Sequence, residues 1–234
     1  MNSNLPQCKT EQELLQRYAA IAYDKQTDFS EVIGTNDWNI DMKSGVIRFG
    51  EGLEFPIQVL GTVSHSSQTW LWAWANTQSG LSEQIIQQSL VLKKYGEENE
   101  IDLLKNASFN FSKEDLHVIG MIASGMFESS GYYIADYGQG AMVVTIKSDL
   151  IDAAQTQNHL RVLTVFPQII SMFEMNHKQA LISYLTAKEF VISTEGNSLT
   201  ATKEGQTIQA SFNESSNLIS LNGDAHGCSS AVSL

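Results

Sequence analysis

Three tryptophans at alternate positions constrain the fold of this chain more than any other feature. Residues 69–76 read Thr-Trp-Leu-Trp-Ala-Trp-Ala-Asn. In an extended strand, Trp70, Trp72 and Trp74 share one face and the smaller residues between them share the other. In a helix the three rings would spread around most of the circumference. The segment therefore predicts a β-strand whose bulky face needs a deep packing partner.

The three indoles admit two interpretations. If they are exposed, they form an aromatic platform for a sugar, a base or the side chains of a partner. If they are buried, they are the largest components of the core. Burial is favoured because a monomer in water rarely tolerates three exposed indoles in a row. Gln68 or Asn76 would then accept hydrogen bonds from the indole N–H groups.

Composition excludes several classes of function. Acidic residues outnumber basic ones by 26 to 14, and the net charge of -12 argues against nucleic acid or an anionic membrane as a partner. No segment has the form of a signal peptide or approaches the roughly 18 apolar residues of a membrane span. The two cysteines, Cys8 and Cys228, are too few for a disulfide framework. Reduced thiols and a cytoplasmic location are therefore expected.

The remaining periodicity predicts an α+β fold. Thr10 to Glu13 has the form of a capping box, which predicts a helix from residue 11 to the mid-twenties. Alternating apolar residues over 38–42, 46–49 and 55–63 lead through short turns into the tryptophan strand, as in an antiparallel meander.

Further elements are predicted from caps and turns. Helices follow the candidate caps Ser82, Ser112 and Asn176, with Gly96 as the end of the first and residues 97–100 as a solvated loop. Residues 223–230 predict a frayed tail. Strands are predicted at 132–135, 141–147, 190–194, 199–203, 207–212 and 218–221.

A polar stretch at residues 148–157 is the best candidate for an internal boundary. We predict an α+β domain over residues 1–150 that holds the tryptophan strand. Residues 151–234 are predicted to form a helical pair followed by a small antiparallel meander. Helices should pack on one face of each sheet. Because a helix precedes a meander near both ends, two similar α+β sub-domains are an alternative.

The sequence contains no motif with a defined chemistry. It lacks a phosphate-binding loop with a lysine, a G-x-S-x-G turn and an H-E-x-x-H helix. We therefore expect no cofactor and no bound metal. His226 and Cys228 offer two metal ligands, but an isolated pair of this kind is more often inert.

Acidic residues form the candidate site in two groups. In the first group, Asp37 and Asp41 flank Trp38, and Glu51 and Glu54 lie in the next loop. Two carboxylates beside an aromatic cleft would suit glycoside hydrolysis, whereas charges at a sheet edge simply discourage aggregation. The second group would meet a basic protein surface or form a solvated loop. Its members are Glu97, Glu98, Glu100 and Asp102.

Three motifs between Trp38 and Asn76 resemble a bacterial domain family of unknown function. The motifs are Trp38-Asn39-Ile40-Asp41, Val59-Leu60-Gly61-Thr62 and Trp70-Leu71-Trp72-Ala73-Trp74-Ala75-Asn76. The likeness continues through the predicted helices to about residue 147. This resemblance implies a bacterial, soluble protein, and it implies no activity, cofactor or catalytic residue.

Two functions are consistent with these features. The preferred one is an acidic cytoplasmic module of the immunity or antitoxin kind, which neutralises a basic bacterial toxin by docking through the two acidic groups. The alternative is a hydrolase or carbohydrate-binding domain that uses Asp37, Asp41 or Glu54 beside exposed tryptophans. The first is preferred because of the net charge of -12, the lack of a catalytic motif and the resemblance to a family without an assigned activity.

Overall fold

The computed structural model describes residues 7–156, 158–225 and 228–233, with the backbone alone at Lys113, Ala225 and 228–233. The helices in this part of the chain are α1 (Glu11–Ile33), α2 (Gln87–Asn99), α3 (Asp102–Lys105), α4 (Lys113–Met126), α5 (Asp149–Ala153), α6 (Val162–Met172) and α7 (His177–Ala187). The strands are β1 (Trp38–Asp41), β2 (Val46–Phe49), β3 (Leu53–Ser64), β4 (Thr69–Trp72), β5 (Ser108–Asn110), β6 (Gly131–Asp136), β7 (Gly140–Ile146), β8 (Val191–Glu195), β9 (Ser198–Lys203), β10 (Gln206–Phe212), β11 (Leu218–Ala225) and β12 (Cys228–Ser233). Strand pairing is antiparallel in both sheets, which confirms the predicted α+β class.

These elements form two compact units, and the long helix α1 contributes to both. The first unit contains the described residues up to Leu14 together with Lys25–Gln155. The second contains Leu15–Asp24 together with the described residues from Thr156 onward. The middle of α1 thus belongs with the C-terminal part of the chain, whereas our predicted domains simply divided the sequence at residue 150.

The seven-stranded sheet of the first unit is built around β3, which pairs with β2, β4 and β7. This strand contains a β-bulge at Leu60, because Val59 pairs with Val144 whereas Gly61 pairs with Val143. One extra residue reverses the alternation of side chains along a strand. Odd-numbered residues before Leu60 therefore lie on one face of the sheet, and odd-numbered residues after Leu60 lie on the other.

The bulge divides the apolar residues of β3 between two cores. Ile57 and Val59 pack with Phe29 and Ile33 of α1 on one face, whereas Val63 lies on the opposite face, in register with Trp70. Residues 55–63 do form the predicted strand, but they do not share one face. Helices consequently cover both faces of this sheet, with α1 on the first and α2 and α4 on the second, where one covered face was predicted.

The tryptophan strand is shorter than predicted, since β4 ends at Trp72. Beyond it, the Ala73 N–H donates to the carbonyl of Leu60 at 2.9 Å, and the Asn76 N–H donates back to the Trp72 carbonyl at 3.2 Å. The bulge leaves the Leu60 carbonyl available for this bond. Trp74 therefore lies in a turn after the strand, and two of the three indoles share the strand face.

Trp70 and Trp72 are both 0% exposed, which confirms the core interpretation for these two rings. Their ring centroids lie 5.3 Å apart with perpendicular planes, a favourable edge-to-face arrangement. The Trp72 Nε1–H donates to the Leu103 carbonyl at 3.0 Å. Within the described part of the chain, the buried Nε1–H groups of Trp70 and Trp74 have no acceptor. The prediction that Gln68 or Asn76 would accept these bonds is therefore wrong.

Local capping signals predicted several helix starts correctly. Thr10 Oγ1 accepts from the Glu13 N–H at the start of α1, Ser112 and Asp115 form a complete capping box on α4, and Asn176 caps α7. The predicted ends of helices were less accurate. Helix α1 continues to Ile33 instead of stopping in the mid-twenties.

Gly96 lies inside α2 instead of ending it. A Cβ at this position would lie 2.6 Å from the Leu104 Cβ, so the glycine allows α3 to approach closely. Residues 97–99, which were predicted as a loop, form the last turn of α2, and Glu100 follows as a left-handed cap with φ 58°. The sequence signal was ambiguous because a glycine after an apolar stripe suits both roles.

In the second unit a five-stranded meander packs its apolar face against α6 and α7. Asp24 of α1 is 3% exposed within this unit. Its carboxylate contacts Arg161 Nε at 2.7 Å and Lys188 Nζ at 2.6 Å, and it accepts a hydrogen bond from Tyr184 Oη at 2.8 Å. These contacts place a group of buried charges beside the apolar core.

The predicted frayed tail is wrong for the described residues after 223, because β12 pairs with β11 from Ser220 opposite Ser233 to Ala225 opposite Cys228. The pair His226 and Cys228, which the sequence analysis interpreted as more often inert than metal-binding, cannot be placed, since His226 lies outside the described residues and Cys228 is described by its backbone alone. Cys8, by contrast, is buried, and its N–H donates to Tyr95 Oη at 2.9 Å.

Candidate functional site

Asp37 and Glu51 lie at the same end of the β1–β2–β3 meander, which we call the hairpin end. The Gly50 N–H donates to the Asp37 carbonyl at 2.9 Å and so holds the turn between β2 and β3 against the start of β1. Both acidic residues are exposed. Neither carboxylate has an ion-pair partner among the residues that the structure describes. The hairpin end therefore presents two uncompensated negative charges.

The other two acids of the first group are engaged locally. Asp41 lies at the far end of β1, about 13 Å from Asp37 at the usual rise of a strand. Hydrogen bonds from Ser44, and then from the Lys43 N–H, hold the pKa of Asp41 below its usual value. Glu54 pairs with Arg48 Nε at 2.6 Å across β2 and β3. These two carboxylates are less available to a partner than those of the hairpin end.

The second group of acids lies on the corner between α2 and α3, which we call the helix corner. Glu97 and Glu98 each face a lysine one turn earlier in α2, at 3.7 Å. Glu100 and Asp102 both contact Lys105, at 2.6 and 3.1 Å. Four carboxylates thus share three lysines. The corner is acidic in composition, but most of its charge is compensated within the corner itself.

The charge of Lys105 is reinforced by this arrangement. Its hydrogen bonds to Glu100 and to Asp102 raise the pKa of the ammonium group above its usual value. Salt bridges of this exposed kind contribute little to stability. Their effect here is to lower the negative potential that an approaching basic protein would meet.

Trp38 and the two carboxylates that flank it lie on opposite sides of β1 in the described part of the chain. Trp38 faces the core side of β1, where its ring lies 6.2 Å from that of Tyr133, whereas Asp37 and Asp41 are at alternate positions that point to the other side. Trp70 and Trp72 have no exposed surface on which a sugar could stack. The geometry therefore gives the hydrolase or carbohydrate-binding alternative no specific support.

A polar cavity that no sequence pattern predicts lies beside α2. It has a volume of about 320 Å³ and is lined by Gln58, Gln87, Gln88, Val91 and Phe127. The two adjacent glutamines of α2 were visible in the sequence as a local cluster. Gln58, however, comes from β3, and only the tertiary structure brings it beside them. No sequence spacing connects the three amides.

A second polar contact that the sequence did not suggest joins α4 to β6. His117 Nδ1 lies 2.9 Å from Tyr132 Oη, and Gly120 allows the Tyr132 ring to pack closely against the helix. Partial burial holds the pKa of His117 below its usual value, although the charge of Glu114 acts in the opposite direction. Tyr132 is itself buried, so this contact fixes the orientation of α4 on the sheet.

No three His, Cys, Asp or Glu side chains are grouped as metal ligands in the described part of the chain. None of the helices within residues 7–156, 158–225 and 228–233 combines the length and apolar composition that a membrane crossing needs.

Residues 12–149 match the model of DUF6882, a family of unknown function. The chain belongs to this family. The matched range contains the three motifs, the seven-stranded sheet and all eight predicted acidic site residues. Neither the curated proteins nor the solved structures compared with the chain include a match.

The structure explains why the second and third of the three motifs belong together in this chain. A Cβ on Gly61 of the second motif would lie 2.4 Å from Cζ2 of Trp70 in the third. Ser89 of α2 completes the assembly, because its hydroxyl donates to the Leu60 carbonyl at 3.0 Å and accepts from the Trp74 N–H at 3.4 Å. The motifs therefore describe one packing unit around the bulge of β3.

Proposed function

We propose that this chain is an acidic, cytoplasmic protein-binding module of the bacterial immunity or antitoxin kind, which neutralises a basic toxin by docking it at the hairpin end. The observation that carries the proposal is the exposure of Asp37 and Glu51 at one end of the meander, without cationic partners in the described ranges. Unpaired surface carboxylates steer a basic partner more effectively than paired ones. The net charge of -12 adds a long-range attraction for the same basic partner.

The position of β1 supports the same surface. This strand is at the end of the strand order and pairs with β2, so its outer edge offers backbone groups to an extended segment of a partner. Charges at such an edge also discourage aggregation. Both roles require the acids to stay exposed, and only the docking role requires a partner of opposite charge.

The experiment starts from the product of the neighbouring reading frame, purified and tested for binding by surface plasmon resonance. Two double variants with the same change of net charge are compared, Asp37→Lys/Glu51→Lys at the hairpin end and Glu97→Lys/Glu98→Lys at the helix corner. We expect the hairpin-end variant to lower the association rate constant at least about tenfold at low salt, and the corner variant to lower it much less.

Salt provides an internal control. The association rate of the unmodified chain should fall steeply between about 50 and 300 mM salt, and the hairpin-end variant should show a shallower dependence. Equal effects of the two double variants would refute docking at the hairpin end. Absence of binding to the neighbouring gene product would refute the immunity or antitoxin role.

A further inference from the structure

The cavity between α2, β3 and the end of α4 is lined mainly by side-chain amides. Gln58, Gln87 and Gln88 supply the polar part of its wall, and Val91 and Phe127 supply the apolar part. Its volume of about 320 Å³ is at the lower end of the range for small-molecule sites. Such sites combine apolar walls with a few polar groups that fix the orientation of the ligand.

Two of the three amides are fixed by hydrogen bonds to the protein. Gln58 Oε1 accepts from the Gln88 N–H at 3.2 Å, and Gln58 Nε2 donates to the Gln84 carbonyl at 2.9 Å. Thr145, which is 1% exposed, donates from Oγ1 to Gln88 Oε1 at 2.5 Å. Because the oxygen of Gln88 is held in this way, its Nε2 is the end of the amide that remains for a ligand.

The donors in the cavity are available. Gln88 Nε2 and the side chain of Gln87 have no hydrogen-bond partner among the described residues, and Gln87 is exposed at the rim. A fixed amide N–H₂ group pairs well with a planar acceptor. Gln87 retains both the donor and the acceptor of its amide, the pair that recognises the edge of a nucleobase where an acceptor and a donor are adjacent.

Charge and shape narrow the class of ligand further. The lining contains no Lys, Arg or His to neutralise a phosphate, and the net charge of -12 disfavours anions. Phe127 is half-buried, so part of its ring is available for stacking against a flat ligand. Uncharged flat molecules satisfy these conditions, and nucleotides do not.

We propose that this cavity binds a small uncharged heterocycle of the nucleobase or nucleoside type, whose ring acceptor receives a hydrogen bond from Gln88 Nε2 while its face packs on Phe127. This proposal is independent of the docking role of the hairpin end. It assigns a binding site to the second face of the sheet, which the acidic groups do not involve.

The test is a titration of the full chain with adenosine and with uridine, followed by ¹⁵N chemical shifts and saturation-transfer NMR. Gln88→Glu retains an oxygen for Thr145 and replaces the free N–H₂ group by a second oxygen. We expect it to weaken binding at least about tenfold, since a donor becomes an anionic acceptor. Val91→Trp, which fills the cavity, should abolish binding. Gln78→Glu, an equal charge change at an exposed position elsewhere, should leave binding unchanged.

Two further probes define the class of ligand. Adenosine monophosphate should bind at least about tenfold more weakly than adenosine, because nothing in the lining compensates its charge. N-acetylglutaminamide, an amide without a ring, should also bind more weakly than the nucleosides. The proposal is overturned if neither nucleoside binds saturably, if Gln88→Glu or Val91→Trp binds like the unmodified chain, or if either further probe binds as tightly as the nucleosides.

Discussion

At the scale of single residues, the packing of the first unit depends on a few positions where the backbone of a glycine lies against an aromatic side chain. Gly61 is the clearest of these, because the indole of Trp70 and the Leu71 carbonyl both lie within 2.6 Å of where its Cβ would be. Both neighbours are held by the sheet and the surrounding core. A side chain at residue 61 therefore has no space to occupy without displacing the tryptophan.

Gly61→Ala should destabilise the chain by about 1–3 kcal/mol, as expected for overpacking of a fixed core. The measurement is urea unfolding followed by tryptophan fluorescence. Trp70→Phe removes part of the indole, so in its presence the cost of Gly61→Ala should be smaller. A double-mutant cycle without coupling between the two positions would contradict this packing argument.

His117 makes stability depend on pH. Its folded pKa lies below the ordinary value of 6.5 because of partial burial, so between these two values the unfolded chain binds a proton that the folded chain does not. Stability from this group is full above about pH 6.5 and is lost as the pH falls through the folded pKa. His177 is shifted in the same direction, also by burial.

We expect His117→Gln to reduce the loss of unfolding free energy between about pH 7 and pH 5, and His65→Gln, at an exposed turn, serves as the comparison. NMR titration of the unmodified chain gives an independent check. An apparent pKa for His117 at or above 6.5 would show that Tyr132 and the helix do not disfavour its protonated form.

At the scale of elements, the first sheet protects an open edge with a side chain. Strand β6 pairs with β7 on one side. On the other side, Gln26 of α1 donates from Nε2 to the Tyr132 carbonyl at 2.9 Å and accepts from the Tyr132 N–H at 3.1 Å. The amide thus occupies the positions of a neighbouring strand, and unprotected edges of this kind promote association.

Gln26→Ala should cost about 1–2 kcal/mol, because two hydrogen bonds are lost. The Tyr132 amide should exchange with solvent faster, which hydrogen-exchange NMR measures directly. Gln26→Glu keeps an acceptor but loses the donor, so an intermediate effect is expected. Gln16→Ala, on the same helix, controls for helix propensity. Unchanged protection of the Tyr132 amide in Gln26→Ala would refute this role.

Helix starts were predicted correctly where the capping interaction is local in the sequence. Thr10, Ser112 and Asn176 cap helices through bonds to residues three positions later, so the sequence contains the whole interaction. The bulge at Leu60 could not be predicted, because it is defined by the register of β3 against Val143 and Val144 of β7, which lie more than 80 positions later. Gly96 was assigned to the wrong role because its true partner, Leu104, belongs to a different helix.

The candidate site was predicted in part. The two acidic groups were visible as clusters in the sequence, but residues 97–100 were predicted as a loop, so the i,i+4 pairs of Lys93 with Glu97 and of Lys94 with Glu98 were missed. The difference between compensated and uncompensated carboxylates required Lys105 and the turn at Gly50 to be placed in three dimensions. The amide cavity combines β3 with two helices, and no local pattern indicates such a combination.

At the scale of the whole molecule, the two units share one covalent helix. Leu15–Asp24 belongs to the second unit and is flanked within α1 by segments of the first. The four tryptophans all belong to the first unit, so their fluorescence reports on that unit, whereas far-ultraviolet circular dichroism reports on both. Because a helix forms cooperatively, loss of its central turns affects both ends.

We therefore expect the two signals to give the same unfolding midpoint. Asp24→Asn removes the carboxylate that faces Arg161 and Lys188 in the second unit, and such losses cost about 3–5 kcal/mol. Both signals should shift together in this variant, whereas the exposed Asp136→Asn should leave them unchanged. A shift in circular dichroism without a shift in tryptophan fluorescence would show that the units unfold independently.

The bulge of β3 also determines which changes of chain length this family member can accept. Deleting Leu60 would place Val59, opposite Val144, directly before Gly61, opposite Val143, so the ladder would become regular and the flanking residues would keep their faces. Inserting or deleting one residue elsewhere in β3 would exchange the faces of the residues on one side of the change, whereas a change of two would preserve them. Evolution can therefore lengthen or shorten the turns of this sheet freely, but within β3 it is restricted to the loss of the bulge residue or to changes of two residues at a time.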